Sequence, residues 1–448
     1  MSFSPSPTQT GDLGLCTSPN SNNELSWTPG KHVHPRQWRY ARKTYDTCII
    51  MFLEFFTYLV GQTIGGVFFP PWSESFGRKK LYVISTGMYS LSCILVRTVP
   101  TIPGIVVGRF VGGLLSSMPT VVATGSIEDL WDTHERVWWV FWWALLANLG
   151  LLTGPVFSDL IMASAPWPWV FYTAAIVTGC VTILFLTTRE SRPSVVLANA
   201  KALSDIQRSK GENPSKSKRR TPIREQLDLL RPLRFLFTEP IVFLVAIISA
   251  IAFGLIYLFT EVLPLVYIAL GFDNGWKNLP FLFLAIGMVL SILTRFYDRH
   301  RLETRSKASL PITPESKFAG YVIGAPLLAL GLWWFAWTIP PATSVHWALP
   351  AMALIPIGYA VNELDYVLAG YLSDCYETYT ASSFAALALT RSFFCATFPL
   401  FGRALFDTLN FNTATSIFAA LATVLCVVPP MLLRYGSWLR ERSAYTDK

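Results

Sequence analysis

GVFFPPWSESFGRKKL, the stretch Gly66–Leu81, decides the fold of this chain. An apolar run ends at Trp72, Glu74 follows, and three consecutive cations occupy Arg78–Lys80. Gly77 separates the acid from the cations, where a tight turn needs a residue that tolerates a positive φ. Because cations beside an apolar run stay on the cytoplasmic side of a membrane, the stretch predicts a span that ends in a cytoplasmic turn. A plain stop-transfer flank would have the same composition.

The composition is that of a polytopic membrane protein. Of the 448 residues, 52% are hydrophobic and only 14% are charged, and the mean hydropathy is +0.41. Soluble domains carry about 25% charged residues. The seven cysteines include no CxxC pair and no Cys/His cluster, which argues against a disulfide framework and a zinc site. The net charge of +8 lies in loops between apolar runs, so the positive-inside rule explains it better than nucleic-acid binding does.

The apolar runs form two groups around a hydrophilic stretch. Residues 189–235 carry twelve Lys or Arg and predict a basic cytoplasmic linker between an N-terminal bundle, 44–188, and a six-span C-terminal bundle, 236–437. Polar tails, expected to be cytoplasmic, flank the bundles at 1–43, which has a disordered composition, and at 438–448. At about 20 residues per crossing, ten spans follow the first apolar run: 81–97, 104–126, 137–158, 168–187, 236–259, 276–297, 317–337, 345–372, 381–403 and 413–434.

The stretch around Gly77 resembles the loop between the second and third spans of major facilitator superfamily transporters, G-x-x-x-D-x-x-G-R-[RK]. Glu74 takes the place of the acid, Gly77, Arg78 and Lys79 match, and Pro70 stands where the family has its first glycine. The resemblance implies an all-α membrane protein with two helical bundles on a twelve-span plan. It also implies that Glu74, Gly77, Arg78 and Lys79 latch the cytoplasmic side.

Arg109 and Gly113 are similar to the family's R-x-x-x-G pattern, which is linked to proton coupling. The resemblance therefore gives the coupling role to Arg109, and to Glu54, which matches a family position in the first apolar run. Because Arg109 lies near the start of its span, its side chain could instead extend to the membrane surface.

The segment LGLLTGP looks like the antiporter signature of drug:proton antiporters, G-x-x-x-G-P-x-x-G-G. The resemblance places Gly150, Gly154 and Pro155 at the interface between the two moving bundles, and simple helix packing is the alternative. Ser158 and Asp159 stand where the signature ends in two glycines. Later segments, among them FTEP and YLFTEVLP, resemble fungal multidrug and polyamine transporters.

Ionisable residues inside spans are costly, and by default they mark functional sites. Arg391 lies about ten residues from either end of its span, too deep to extend to the surface. Glu363 and Asp365 lie in the preceding span, so an ion pair between Arg391 and one of them is predicted; it could serve transport or structure alone. Glu261 could equally be a residue of the outer lip. The predicted cavity residues are Tyr257, Glu261, Asn362, Glu363, Asp365, Tyr366 and Arg391.

The first apolar run is too short for two crossings. Both of its flanks are basic, yet Asp46–Gly77 gives 32 residues, or roughly 48 Å of helix, against about 60 Å for two crossings. The chain therefore predicts about eleven spans, with an internal deletion between the first two spans of the family. A single long helix is expected, with Glu54 and Gln62 turned towards the bundle, and a broken re-entrant pair is the alternative.

The resemblance implies proton-coupled export of a small amphipathic or cationic compound, such as a drug, toxin, secondary metabolite or polyamine, by alternating access across the plasma membrane. The alternatives are proton-driven uptake and a transport-deficient or sensor-like protein. The expected partners are the substrate, the proton and the lipid bilayer, with the protein a monomer and with no nucleic acid, cofactor or metal. The chain contains no G-x-S-x-G, H-E-x-x-H or P-loop pattern, so an enzyme is not expected.

Overall fold

The structure is a computed structural model. It describes residues 9–10, 15–17, 25–27, 61–99 with short gaps, 101–131, 133–192, 195, 231–272, 276–307, 314–340, 345–376, 380–441 and 443. The chain divides into two compact units, Met1–Glu54 and Phe55–Lys448. In the first unit, three short strands form an antiparallel sheet in the order β1-β2-β3: Gln9–Thr10, Leu15–Thr17 and Leu25–Trp27.

The second unit begins with a helical half. The described residues from 61 to 76 are helical, and four long helices follow: α1 Arg78–Thr98, α2 Ile102–Leu130, α3 Thr133–Ser164 and α4 Pro168–Thr187. Short turns between these helices make them antiparallel neighbours. At the start of α2, the Thr101 hydroxyl accepts the Gly104 N–H at 3.3 Å and Pro103 occupies the first turn, two features that favour a helix N-terminus.

The C-terminal half follows the linker. Its helices are α5 Arg231–Thr238, α6 Pro240–Ala269, α7 Pro280–Leu290, α8 Ile292–Lys307, α9 Ala319–Thr338, α10 Ala348–Cys375, α11 Thr380–Leu425 and α12 Val428–Glu441, with a 3₁₀ turn at Pro314–Lys317. The predicted span 276–297 is thus two helices that meet at Ser291. Asn410, at φ 64°, breaks α11 between the predicted spans 381–403 and 413–434.

Within the described residues, eight helical stretches are long and apolar enough to cross a membrane. Two of them combine neighbouring helices: Pro280–Arg301 runs across α7 and α8, and Ala404–Glu441 runs across α11 and α12. In addition, α10 is 28 residues long but carries Glu363, Asp365 and Asp374, and a shorter apolar helix covers Ser383–Phe398. The predicted count of eleven also needs the first apolar run. Residues 47–60 of that run lie outside the described residues, so the count and the single long helix stay predictions.

The helical unit has a linker end, next to residues 189–235, and an opposite end. At the linker end, α1 begins and α2 ends beside Glu190, and the Tyr376 hydroxyl donates to Glu239 Oε2 at 2.9 Å. Burial raises the pKa of the Tyr376 phenol, so it remains a donor. At the opposite end, α3 finishes and α7 starts. The larger apolar core lies in the C-terminal half, where α6, α9 and α10 bury most of their side chains.

Candidate functional site

A cavity of about 300 Å³ lies where the two halves meet. The helical segment around residue 62, α2 and α3 line it from the N-terminal half, and α6, α10 and α11 line it from the C-terminal half. The lining residues are Gln62, Ser116, Ser117, Thr120, Val121, Trp143, Ala147, Asn148, Leu151, Phe253, Tyr257, Asp365, Phe384, Leu387, Ala388, Arg391, Ser392 and Cys395. Gln62 therefore faces the cavity, which agrees with its predicted orientation towards the bundle.

One wall of the cavity presents hydroxyl groups, and the others present aromatic rings. Ser116, Ser117 and Thr120 lie within about one turn of α2, and their hydroxyls donate to main-chain carbonyls of the same helix at 2.7 to 2.9 Å. Their donors are thus satisfied, and their oxygens remain able to accept from a ligand. Trp143 and Phe253 add aromatic surface.

The predicted ion pair of Arg391 is confirmed, and its partner is Asp365. The guanidinium Nη2 donates to Asp365 Oδ1, while Nε donates to Ser249 Oγ at 2.7 Å. The guanidinium also lies over the Phe253 ring, 4.2 Å from its centre. The Asp365 side chain is only 3% exposed and that of Arg391 is 15% exposed, so the cation is the more accessible member of the pair.

A polar bridge joins the halves beside this pair. Asn148 on α3 is buried, and its Nδ2 donates to Asn362 Oδ1 at 3.1 Å and to Asp365 Oδ2 at 3.4 Å. Asn362 Nδ2 in turn donates to Ser291 Oγ at 2.8 Å, at the junction of α7 and α8. Asn148 is not among the predicted residues, because an uncharged amide in an apolar run gives little signal by itself.

Glu363 points away from the cavity. Its Oε2 accepts from Arg295 Nη2, and both side chains are fully buried. Arg295 Nη1 also lies 2.8 Å from Asp298 Oδ2, and the guanidinium is stacked 4.0 Å from the centre of the Tyr366 ring. Neither Glu363 nor Tyr366 lines the cavity. Arg295 is not among the predicted residues; its place near the end of the predicted span 276–297 makes it resemble a membrane-surface flank.

Of the remaining predicted cavity and coupling residues that the structure describes, one lines the cavity and two lie outside its lining. Tyr257 lines the cavity, whereas Glu261, one turn further along α6, is exposed and outside the lining given by the described residues. Arg109 also lies outside that lining, with its guanidinium 5.5 Å from the centre of the Phe171 ring on α4. Its coupling role stays a prediction. Glu54 and Glu74 lie outside the described residues.

Comparison with known proteins gives this architecture a family. A model of the Major Facilitator Superfamily matches residues 50–393. The chain belongs to this superfamily. The multidrug transporter TPO1_2 of Candida glabrata is 27% identical over 94% of this chain and 74% of its own length. The efflux pump FUBT of Fusarium oxysporum is 30% identical over 87% of this chain and 66% of its own length.

The fold comparison agrees. The xylose transporter XylE from E. coli, in a partially occluded inward-open conformation, superposes with a TM-score of 0.60 at 17% identity, over 90% of each chain. The predicted all-α fold and the predicted family are confirmed. As a member of the Major Facilitator Superfamily, this protein is a multi-pass membrane transporter of small molecules.

The superfamily loop motif forms a charge network at the linker end. Gly77 has φ 93°, which confirms the predicted turn, and the Glu190 carboxylate accepts the next two main-chain N–H groups at 2.8 and 3.1 Å. An anion at a helix N-terminus is stabilised by the helix dipole. The buried Arg78 donates from Nε to Asp129 Oδ2 at 2.6 Å. These contacts join the start of α1 to the end of α2 and to the segment that follows α4, within one half.

The antiporter-like motif, Gly150, Gly154 and Pro155, is more loosely packed than the loop motif around Gly77. A Cβ added to Gly150 or Gly154 would meet no heavy atom of the described residues within 4 Å. The close approach expected at these glycines is therefore absent from the described part of the chain. Instead, Asp159 reaches the other half: Lys277 Nζ lies 3.2 Å from its Oδ2, and Asn278 Nδ2 donates to the same oxygen at 2.5 Å.

Proposed function

We propose that this protein exports small amphipathic or cationic compounds in exchange for protons, by alternating access of the cavity between its halves. The observation that carries the proposal is the cavity itself, lined from both halves by aromatic rings, hydroxyls and one ion pair. A site at such an interface is exposed to one side of the membrane or the other as the halves rock. The relatives named as a multidrug transporter and an efflux pump favour export over uptake.

The lining suits a small organic compound with an apolar body. About 300 Å³ is at the lower end of ligand-pocket volumes. Trp143, Phe253 and Phe384 supply stacking surface, and aromatic faces attract organic cations. The α2 hydroxyl oxygens accept hydrogen bonds from amine or hydroxyl groups. Together these groups fit an amphipathic compound better than a sugar, which needs many donors and acceptors.

The linker end is the cytoplasmic end in this proposal. The described basic groups Arg78–Lys80, Arg189 and Arg192, and Arg299 and Arg301 belong to it, as the positive-inside rule requires. The cavity then loads from the cytoplasm and releases at the opposite end, into the medium, when the protein resides in the plasma membrane. Asp365 and Arg391 bind and orient the compound, and the proton gradient drives the return step.

Dye export from cells tests the proposal. Cells that express the protein should accumulate less rhodamine 6G than control cells, and a protonophore should abolish the difference. Trp143→Ala removes stacking surface from the cavity and should abolish export. Trp142→Ala is the matched control: this neighbouring ring on α3 is 40% exposed and lies outside the cavity lining, so export should persist.

Two outcomes would contradict the proposal. Greater dye accumulation that the protonophore abolishes would show uptake. Equal accumulation in all cells, with a panel of other cationic and neutral dyes also unmoved, would favour the transport-deficient alternative.

A further inference from the structure

A cluster of three charges lies outside the cavity and is closed to solvent. Arg295 on α8 lies between two carboxylates: Glu363 on α10, which accepts from its Nη2, and Asp298, one turn along α8, at 2.8 Å from its Nη1. The side chains of Arg295 and Glu363 are 0% exposed, and that of Asp298 is 6% exposed. One guanidinium is thus shared by two acids inside the membrane-spanning region.

The neighbours of Glu363 offer it little further stabilisation. Its Oε1 is buried and accepts no hydrogen bond from any described residue. The Thr294 hydroxyl lies beside it and also contacts the Tyr359 hydroxyl at 2.5 Å. Either oxygen of that contact can be the donor, so Thr294 is the one neighbouring hydroxyl that can still donate to Glu363 among the described residues. On the α9 side stands Gly320, where an added Cβ would overlap the Glu363 carboxylate. The bare main chain of α9 therefore closes this side of the acid.

The other polar groups around the cluster balance its second negative charge only in part. From α10, the rings of Tyr366 and Tyr359 face Arg295, and they are neutral phenols. From α3, the group in contact is Phe141, whose ring centre is 5.6 Å from the guanidinium. Arg301 acts on Asp298 from the linker side of α8 and is only half-buried. It makes no ion pair with Glu363 among those that the structure describes.

We propose that Glu363 is a proton-binding site of the transport cycle. A proton added at Oε1 neutralises the carboxylate, and Arg295 then remains paired with Asp298, so the buried cluster becomes neutral. When the proton leaves, the cluster carries two acids and one guanidinium, and Arg295 is drawn to Glu363. A charge that is unbalanced in low dielectric is costly, so the two states favour different positions of the guanidinium. This inference rests on the proton exchange of the proposed function.

The position of the cluster connects this proton to the cavity and to the other half. Glu363 is adjacent in sequence to Asn362, whose side chain bridges to Asn148 on α3. Phe141 belongs to α3 as well, so a displacement of the Arg295 guanidinium changes a contact between the halves. A proton on Glu363 therefore alters the interface about which the halves rock, without entering the substrate cavity.

Proton counting on purified protein tests the site without any substrate. The full-length protein in detergent is shifted from alkaline to mildly acidic pH in the presence of an indicator dye, and the protons bound are counted. Glu363→Gln should bind about one proton fewer per molecule than wild type. Glu303→Gln is the matched acid-to-amide control: it removes an exposed carboxylate on α8 that pairs with Arg299. This carboxylate should titrate at lower pH, so its loss should leave the count in this range unchanged.

A second variant keeps the test decisive if Glu363→Gln does not elute as folded protein. Asp298→Asn leaves Arg295 to Glu363 alone, and the same proton should then bind only at lower pH. An unchanged count in Glu363→Gln, or an unchanged titration in Asp298→Asn, would overturn the proposal.

Transport measurements distinguish a role of Glu363 in proton coupling from a purely structural role. In vesicles, Glu363→Gln should lose the rhodamine 6G accumulation that a pH gradient drives, yet retain exchange of dye for dye, which moves no net proton. Loss of both activities in folded protein would indicate a structural ion pair. If the wild-type protein moves no dye, the proposed function fails, and the proton count still decides the role of Glu363.

Discussion

Arg391→Leu should destabilise the protein strongly, because it leaves the Asp365 carboxylate buried without its partner. Asp365 is 3% exposed, and its remaining contact is the Asn148 amide at 3.4 Å, which is long for a hydrogen bond. Removing one member of a buried ion pair costs about 3–5 kcal/mol, since the other charge remains unpaired. This is a large part of the stability of a folded protein.

The double variants identify the acid concerned. Arg391→Leu with Asp365→Asn removes both charges and should recover most of the loss. Arg391→Leu with Glu363→Gln should recover none of it, because Glu363 is bonded to Arg295 instead. Heating the purified proteins and measuring the fraction that still elutes as folded protein by gel filtration gives the comparison. The reasoning is refuted if Arg391→Leu melts like wild type, or if both double variants recover equally.

Two further predictions concern the linker end and the opposite end. Gly77→Ala should lower the free energy of unfolding by about 1–3 kcal/mol, because the backbone at Gly77, with φ 93° and ψ 155°, is essentially restricted to glycine. Gly87→Ala within α1 is the control: a Cβ has ordinary contacts there, so this change should be neutral or stabilising. Equal melting temperatures of the two variants would contradict the prediction. Asp159→Asn and Lys277→Met each remove one partner of the ion pair that joins the halves at the opposite end. In a variant whose only cysteine is the cavity residue Cys395, each change should therefore speed the labelling of Cys395 by an impermeant thiol reagent added outside cells. Unchanged labelling rates would exclude a closing role for this pair.

Local chemistry makes some of these features predictable from the sequence. The turn at Gly77 follows from a glycine between an apolar run and a row of cations, and it needs no partner to be recognised. The ion pair of Arg391 is predictable for a similar reason, because a cation in the middle of a span requires an acid nearby. Its partner is not predictable, because the sequence fixes neither the rotation of α10 nor its neighbours.

The rotation of α10 separates the two acids. Glu363 and Asp365 are two residues apart, which places them about 200° apart around a helix. One side of α10 faces α11 and the cavity, so Asp365 meets Arg391 there. The other side faces α8 and α9, where Glu363 meets Arg295. A sequence pattern gives this angle between the acids, but only the packed structure shows which acid faces which helix.

The glycines of the antiporter-like motif are an example of a sequence pattern whose expected close helix packing does not occur among the described residues. Gly150 and Gly154 have the spacing that lets helices approach closely, but close approach also depends on the surface opposite them. Among the residues that the structure describes, none comes within 4 Å of a Cβ added at either glycine, so the surface opposite them is open. Spacing alone therefore cannot predict a contact between two halves.

The contacts of α3 with the C-terminal half differ along its length, and this difference bears on how the halves rock. At the opposite end, Asp159 is held by Lys277 through a short, directional polar contact. In the middle, Asn148 bonds to Asn362, and towards the linker end the Phe141 ring meets the Tyr366 ring edge-to-face. Aromatic packing tolerates small displacements, whereas hydrogen bonds weaken steeply with poor geometry. Opening the opposite end must therefore break this polar contact, whereas the described ring contact at Phe141 tolerates small displacements. Because Asp159 stands where the antiporter signature has glycine, the described residues join the two halves at this end through charge rather than through close main-chain packing.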